Sequence, residues 1–174
     1  MNAPLEELRF RGRQTHERVL KLVDELSDEQ LRWRPSAKAH SIGWTLWHIA
    51  RADDNVLFDL SGASLWRSGA YAARWKHPER GSGTGWEDEE AASLPLPAKD
   101  ELLTFAREVF AAVDRARVGL DEARFADEIA ESRFLSERTT KGGVVGAELT
   151  HDNRHLGELE YIKGLLGLRG TVTR

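Results

Sequence analysis

His151 and His155 stand four positions apart near the carboxyl end of the chain, in the segment HDNRH. On an α-helix, residues four apart lie about 40° from each other and one turn apart, so both imidazoles can reach one ion. Two helical histidines at this spacing are a usual pair of zinc ligands. Such pairs also occur on solvated helix faces, so the pair alone does not establish a metal site.

The residues that share a helix face with this pair indicate where it points. Glu158 lies about one turn beyond His155, as a candidate acceptor for an imidazole N–H or a general base; the alternative is a surface ion pair with Arg or Lys. Apolar members predict that the face points into the protein, where buried polar groups need partners. The whole stripe is Val144, Ala147, His151, His155, Glu158, Ile162 and Leu165.

His48 is the candidate for a third ligand. It lies on a predicted helix over 41–60, at the edge of an apolar stripe, from which it could reach a cavity between helices. The alternative is a core histidine that bonds to Asn55 or to a backbone carbonyl. Asn55 follows two turns later and could orient a substrate, or it is a polar residue of the helix face.

The other histidines are weaker candidates for the metal site. His16 lies beside the apolar stripe of the first helix and could approach the site, although such a residue is more often packed or half-exposed. His77 falls in a loop, where histidines are usually exposed, and His40 precedes a helix cap and should be solvated.

The sequence argues against a zinc protease. HDNRH differs from the protease motif HExxH in having Asp152 in place of glutamate, and that class takes its third ligand well downstream. Here the last acid is Glu160, and Asp152 points about 100° away from His151.

Apolar periodicity predicts an all-α protein, a four-helix bundle in a single domain over 1–174. No period-two strand pattern is convincing. We expect a short acidic helical turn near 121–131 and an extended segment or loop over 132–141, and Ser27 begins a short helix. The four long helices are predicted at 4–26, 41–60, 98–118 and 142–167.

A long Gly/Trp-rich crossover over 61–97 joins the second and third helices. A structureless stretch of this length is unusual inside a domain, so we expect a packed cover whose Trp66, Trp75 and Trp86 line the mouth of the metal pocket. Trp44 and Trp47 flank His48 and should form core and pocket wall. The acids at 87–90 are a solvated face or a helix start.

The composition excludes several kinds of chemistry. The chain has no cysteine, so disulfides, thiolate zinc sites, iron–sulfur clusters and a cysteine nucleophile are ruled out, and any metal must be held by nitrogen and oxygen. With 25 Lys and Arg against 29 Asp and Glu, we expect no nucleic-acid partner. No signal peptide or span of ~20 apolar residues is evident, which predicts a cytoplasmic protein without a membrane partner.

The segment WHIARADD around His48 and the fourth helix LTHDNRHLGELEYIKGLLG together resemble the DinB-like superfamily, and helix order extends the resemblance over nearly the whole chain. The family pattern is one histidine on the second helix and an HxxxH pair on the fourth, which form a three-histidine site for a divalent metal. His48, His151 and His155 match it. Members include bacillithiol and mycothiol S-transferases and a mycothiol-dependent maleylpyruvate isomerase; many have no known activity, and homodimers are frequent.

The resemblance and the ligand set imply an enzyme. Three imidazoles with an open position suit a catalytic ion, Zn²⁺ first, with Ni²⁺ or Fe²⁺ as alternatives. We expect a metal-dependent transferase that joins an external low-molecular-weight thiol to a small-molecule electrophile, and a homodimer. The alternatives are a metal-assisted hydrolase, or a non-catalytic bundle in which the ion stabilises the fold or a dimer; a closed structural zinc site would want four protein ligands, and three are assigned.

Overall fold

The computed structural model describes residues 3–170, and four long helices dominate it. Five shorter helices and one pair of two-residue strands connect them in this described part. In chain order the elements are α1 (Ala3–Asp24), α2 (Asp28–Arg32), α3 (Ile42–Ser61), α4 (Leu65–Ser68), α5 (Tyr71–Trp75), α6 (Asp88–Ser93), α7 (Lys99–Val118), α8 (Glu122–Phe125), β1 (Glu128–Ile129), β2 (Thr139–Thr140) and α9 (Lys141–Leu165).

The four long helices form a bundle. Both α1 and α3 pack against α7 and α9, so each helix has two neighbours around one apolar core. Leu and Val side chains from the predicted stripes of α1, α3 and α7 fill this core; Val19, Leu46 and Val109 are fully buried. The prediction of an all-α bundle is confirmed.

The second long helix begins and ends where its sequence indicates. The Ser41 hydroxyl accepts a hydrogen bond from the backbone N–H of Trp44, which satisfies one of the free donors of the first turn. Gly62 ends α3 in the left-handed conformation at φ 78°, which an L side chain rarely adopts. The helix is therefore held at both ends, and His48 has a fixed position on it.

The crossover between α3 and α7 is a packed cover, as predicted, but its tryptophans do not all face the histidines. Trp66 and Trp75 are buried in the core, where their rings lie 5.5 and 5.4 Å from the ring of Phe105. The prediction that both line the mouth of the metal pocket is therefore wrong; large aromatic side chains gain most by joining the core. Half-buried Trp86 lies 5.4 Å from Trp47.

The region after α7 also departs from the sequence prediction. Only Glu122–Phe125 is helical, and Glu128 and Ile129 pair antiparallel with Thr140 and Thr139. The helical turn predicted near 121–131 is present but ends at Phe125, and β2 lies in the segment predicted as extended or loop, whereas β1 was not predicted. Two-residue strands are too short to show a period of two, and their pairing is set by contacts distant in sequence.

The core-facing side of α9 is displaced from the predicted stripe. Glu148, Asp152 and Lys163 are almost completely buried, whereas Leu165 at the end of the predicted stripe is 48% exposed. Apolar periodicity missed this face because its most buried members are charged. His151, His155 and Glu158 consequently lie at the edge of the buried face, where they are half-buried.

Within residues 3–170, no helix is long and apolar enough to cross a membrane.

Candidate metal centre

His48 is presented from the middle of α3 with only one of its ring nitrogens free. Its Nδ1 lies 2.6 Å from the backbone carbonyl oxygen of Ser82. A carbonyl only accepts hydrogen bonds, so Nδ1 carries the proton. Burial lowers the pKa of His48 to about 3, which keeps the ring neutral at physiological pH. Its Nε2 is therefore a lone-pair donor, the form in which imidazole binds metals.

The two histidines of α9 are held in the same tautomer by carboxylates. The Nδ1 of His151 lies 3.0 Å from Oδ1 of Asp152, and the Nδ1 of His155 lies 2.8 Å from Oε2 of Glu158. The bond from His155 lowers the pKa of Glu158, which favours its charged form. An Nδ1–H that donates to a carboxylate leaves Nε2 as the metal-binding atom and raises its basicity.

The three rings converge. The Nε2 atoms of His48 and His151 are 3.0 Å apart, and the ring of His155 is centred 4.7 and 4.5 Å from those two rings. Each ring offers one nitrogen within 4.8 Å of the others. We call these three residues the histidine triad. Its donor set fits a divalent metal, because facing lone pairs repel each other unless a cation lies between them.

A glycine-rich loop at 81–83 fixes the position of His48. A Cβ atom at Gly83 would lie 2.8 Å from the ring of Trp44, and the residue has φ 92°, so glycine is required there. Arg51 donates to the carbonyl of Gly81 at 3.0 Å and stacks over Trp66. The crossover thus holds Ser82 against His48, a role that glycine content alone did not indicate.

A second loop reaches the triad from the other end of α3. The edge of Phe134 packs against the ring of His151 at 5.5 Å. Asp59 anchors this loop by accepting from the Ser132 hydroxyl and from the backbone N–H groups of Arg133 and Phe134. Sequence reasoning missed this contact because no local pattern links Asp59 to residues some 74 positions later.

Asn55 and Glu158 have different relations to the triad. Glu158 takes the first of its two predicted roles, as acceptor for an imidazole N–H; within the described residues its ion pair is with His155 and not with Arg or Lys. Asn55 is half-buried two turns along α3 from His48, and no hydrogen bond joins it to the triad in the described structure. Its role in orienting a substrate stays a prediction.

His40 and His77 are less exposed than the sequence predicts. His77 is buried, and its Nε2 donates to the carbonyl of Pro95 at 2.7 Å. His40 stacks on Trp44 at 3.7 Å, and Trp44 in turn stacks on His48 at 5.1 Å. The expectation of solvated rings is wrong because aromatic neighbours cover both, and burial lowers the pKa of each.

His16 does not join the triad but lies in a second buried group. Its Nε2 is 2.9 Å from Oδ2 of Asp53, 3.3 Å from Oδ2 of Asp152 and 3.6 Å from Oε1 of Glu148. All four side chains are buried and offer ligand atoms within 4.8 Å of one another. We call this group, which sequence analysis did not predict, the carboxylate cluster.

Asp152 connects the two groups, since Oδ1 faces His151 and Oδ2 faces His16. Burial and the charge of Asp152 raise the pKa of Asp53 to about 6. Burial disfavours charge on His16, but the carboxylates of Asp114, Asp152 and Asp53 outweigh it and raise the pKa of His16 well above 6.5.

Arg117 is the fixed cation beside this cluster. It is buried, donates to Asp114 at 2.8 Å and pairs closely with Glu148. A Cβ at Gly12 would lie 2.1 Å from the guanidinium group, so the glycine on α1 makes room for it. A larger residue at position 12 would therefore displace Arg117.

The bundle and the triad together define a class of protein, a helical bundle with a histidine group able to hold a divalent metal. The model of the DinB superfamily matches residues 11–159, and the chain belongs to that superfamily.

Solved structures show the same fold. A conserved protein from Enterococcus faecalis superposes with a TM-score of 0.80 at 19% identity, over 96% of this chain and 99% of that one. A DinB-like protein from Bacillus cereus superposes with a TM-score of 0.62 at 17% identity, over 92% and 91% of the two chains. No curated protein matches the sequence.

Proposed function

We propose that the histidine triad binds one divalent metal ion and that the protein is a metal-dependent enzyme. The observation that carries the proposal is the shared tautomer: Ser82, Asp152 and Glu158 each accept the Nδ1 proton of one triad histidine. The three Nε2 atoms therefore carry lone pairs for one ion, and an ion would displace the Arg154 guanidinium that lies 3.5 Å from Nε2 of His155. A set of three imidazoles is the ligand set of catalytic zinc sites, which keep one position open.

The proposed reaction is transfer of a low-molecular-weight thiol to a small electrophile. The ion, when bound, supplies a positive charge that stabilises the thiolate form near neutral pH. The sulfur lone pair attacks the electrophilic carbon, the leaving group departs with the bonding electrons, and the thiol proton passes to solvent. Because the chain has no cysteine, the thiol must come from outside; a reducing cytoplasm would supply it.

The protein's own residues hold the rings in place. Asp152 and Glu158 fix the orientation of His151 and His155, and the Ser82 carbonyl fixes that of His48. Glu158 is therefore a positioning residue in this proposal, since the oxygen that would abstract a proton is already engaged. Asn55 is proposed to contact the substrate from further along α3.

A cleft beside Trp44 is the proposed entry for the small molecule. It has a volume of about 180 Å³, and His40 and Trp44 line it. Trp44 stacks with both His40 and His48, so it connects the cleft to the triad. Arg32 and Arg34 line it, so a substrate with an anionic group would be favoured. A homodimer is proposed from the family alone, and light scattering of the purified protein tests it.

Metal analysis of protein purified without an affinity tag tests the first step. We expect the wild-type triad to retain a divalent ion and His155→Ala to lose it. His77→Ala is the matched control, because it removes a buried histidine that bonds to Pro95 and not to the triad. The comparison is repeated in proteins that carry Asp53→Asn, which removes one side chain of the carboxylate cluster. Equal ion content with and without His155→Ala in that background would refute the metal proposal.

Thiol conjugation tests the second step. The metal-loaded protein is offered bacillithiol, mycothiol or glutathione with a model electrophile, and product is measured by mass spectrometry. We expect conjugation that His155→Ala abolishes. Metal binding without conjugation of any thiol would favour a structural ion, and hydrolysis of the electrophile in place of conjugation would favour a metal-assisted hydrolase.

A further inference from the structure

The carboxylate cluster has contacts that protons alone do not explain. Three carboxylate oxygens lie 2.9–3.6 Å from a single nitrogen, Nε2 of His16, which carries at most one proton. Among the described residues, neither ring nitrogen of His16 and neither oxygen of Asp53 has a hydrogen-bond partner, because the contacts have the distance but not the direction of a hydrogen bond. Such buried polar atoms are costly and call for a partner.

The distances match those between ligands of one ion. Around a cation with bonds of about 2.0–2.2 Å, neighbouring ligand atoms lie about 3.0–3.6 Å apart. The separations of 2.9, 3.3 and 3.6 Å from Nε2 fall close to this range. The ligand atoms come from α1, α3 and α9, so the cluster surrounds a point inside the bundle and is not a patch of acids on one surface.

The charge balance also calls for a cation. Asp53, Asp114, Glu148 and Asp152 bring four negative charges when ionised, and Arg117 brings one positive charge. Even a protonated His16 leaves an excess of two negative charges. Buried charge without compensation is strongly unfavourable, whereas a divalent ion beside neutral His16 reduces the excess to one.

The surroundings of His16 are those of a metal ligand. Its Nδ1 lies 3.2 Å from the carboxylate of Asp114, which is close enough for the hydrogen bond by which carboxylates orient zinc-bound histidines once the ring is aligned with it. Phe110 stacks on the ring at 4.2 Å with an interplanar angle of 5°, which fixes the ring plane. Arg117 donates to Glu148 and holds that carboxylate in place.

We propose that His16, Asp53, Glu148 and Asp152 form a second divalent-cation site, buried in the bundle and separate from the histidine triad. Its one nitrogen and three oxygens suit a harder ion than the triad does, and Mn²⁺ is the probe of choice. All four ligands come from the protein and lie on three helices, so the ion ties α1, α3 and α9 together.

The experiment measures Mn²⁺ binding in the full chain after removal of all metal. His48→Gln/His155→Ala removes two of the three triad ligands and leaves the carboxylate cluster intact, so failure of the triad to bind does not affect the outcome. We expect this double variant to bind one Mn²⁺ per chain by electron paramagnetic resonance. Adding Asp53→Asn should lower the affinity at least about 100-fold.

Asp54→Asn in the same background is the matched control. Asp54 is the next residue of α3 and is equally buried, but its oxygens already accept from Ser64 and from the N–H groups of Leu65 and Trp66. It should leave Mn²⁺ binding unchanged while circular dichroism reports folding. If Asp53→Asn does not fold, Glu148→Gln takes its place.

Three results would contradict the proposal, and the first two would overturn it outright. One is the absence of bound Mn²⁺, and of bound Zn²⁺, in a folded double variant at millimolar ion. The second is a nitrogen NMR spectrum in which both nitrogens of His16 keep their protons at saturating ion, because a protonated Nε2 cannot be a ligand. The third is an equal loss of Mn²⁺ affinity in the Asp53→Asn and Asp54→Asn variants.

Discussion

The histidine triad and the carboxylate cluster differ although Asp152 joins them. Two members of the triad, His151 and His155, lie at the edge of the buried face of α9 and keep some exposure, and each of the three histidines has one orienting acceptor. The carboxylate cluster is about 60° further around α9, inside the bundle, and its acids face one another. An edge position leaves room for a substrate. In the interior, by contrast, the pairing of charged groups affects the free energy of unfolding.

The largest expected effect concerns the interior group. In metal-free protein, Arg117→Met leaves the carboxylates of Asp114 and Glu148 without their buried cation, so the free energy of unfolding should fall by about 3–5 kcal/mol. Urea unfolding measures it. Arg107→Met removes an exposed pair with Asp24 and should cost less than about 1 kcal/mol. Similar losses in the two variants would contradict the distinction between interior and surface charge.

The next effect concerns the loop that supports the triad. Gly83→Ala forces a Cβ against Trp44 and Trp47, so we expect the free energy of unfolding to fall by about 2–4 kcal/mol. Metal binding should weaken as well, because Ser82 would move away from His48. Gly85→Ala is the control: φ is 77°, but nothing lies within 4 Å of its Cβ. The free energy of unfolding of Gly85→Ala should fall by only about 1 kcal/mol, and the variant should keep its metal. Equal metal binding in both variants would remove the loop from the site.

Asp152→Asn tests whether the two groups are coupled. The substitution removes the charged acceptor of His151 and a carboxylate from the cluster, so we expect a 10–100-fold loss of metal affinity at the triad. Isothermal titration with Zn²⁺ follows the triad, and Mn²⁺ resonance follows the cluster. Asn153→Ala alters the exposed neighbour and should change neither. An effect on one group alone would show that they are independent.

Glu158→Gln should have the smallest effect, because the side chain is one-third exposed. We expect triad affinity to fall about tenfold. The pKa of Glu158 lies below its usual 4.5, so its charge stabilises the folded protein above about pH 4.5, and this contribution is lost as the pH falls through the lower pKa. The variant should therefore lose less stability on acidification, by under about 1 kcal/mol. An unchanged acid profile would show that His155 does not need this acceptor.

Local pattern was enough for the helices and for the metal-ligand candidates. Apolar spacing located the four long helices, among them the helix predicted over 41–60, and the HxxxH spacing placed His151 and His155 together. The same reasoning failed where a buried face is charged. Glu148, Asp152 and Lys163 interrupt the apolar pattern of α9, so the predicted stripe was centred too near the histidines.

His16 shows why part of the chemistry was out of reach. Its partners lie on α3, α7 and α9, between 37 and 136 positions away along the chain, and no spacing rule relates them. The Ser82 carbonyl that selects the tautomer of His48 is a backbone atom, so no residue type could indicate it.

The sequence by itself determined the all-α class, the superfamily pattern, the absence of a protein thiol and the pairing of His151 with His155, because these depend on composition and on helical periodicity. The tertiary structure decided which nitrogen each histidine leaves free, which loops cover the triad, and that a second charged group lies beside it. Those properties depend on which atoms of distant segments meet in the core, and packing of the four helices sets that.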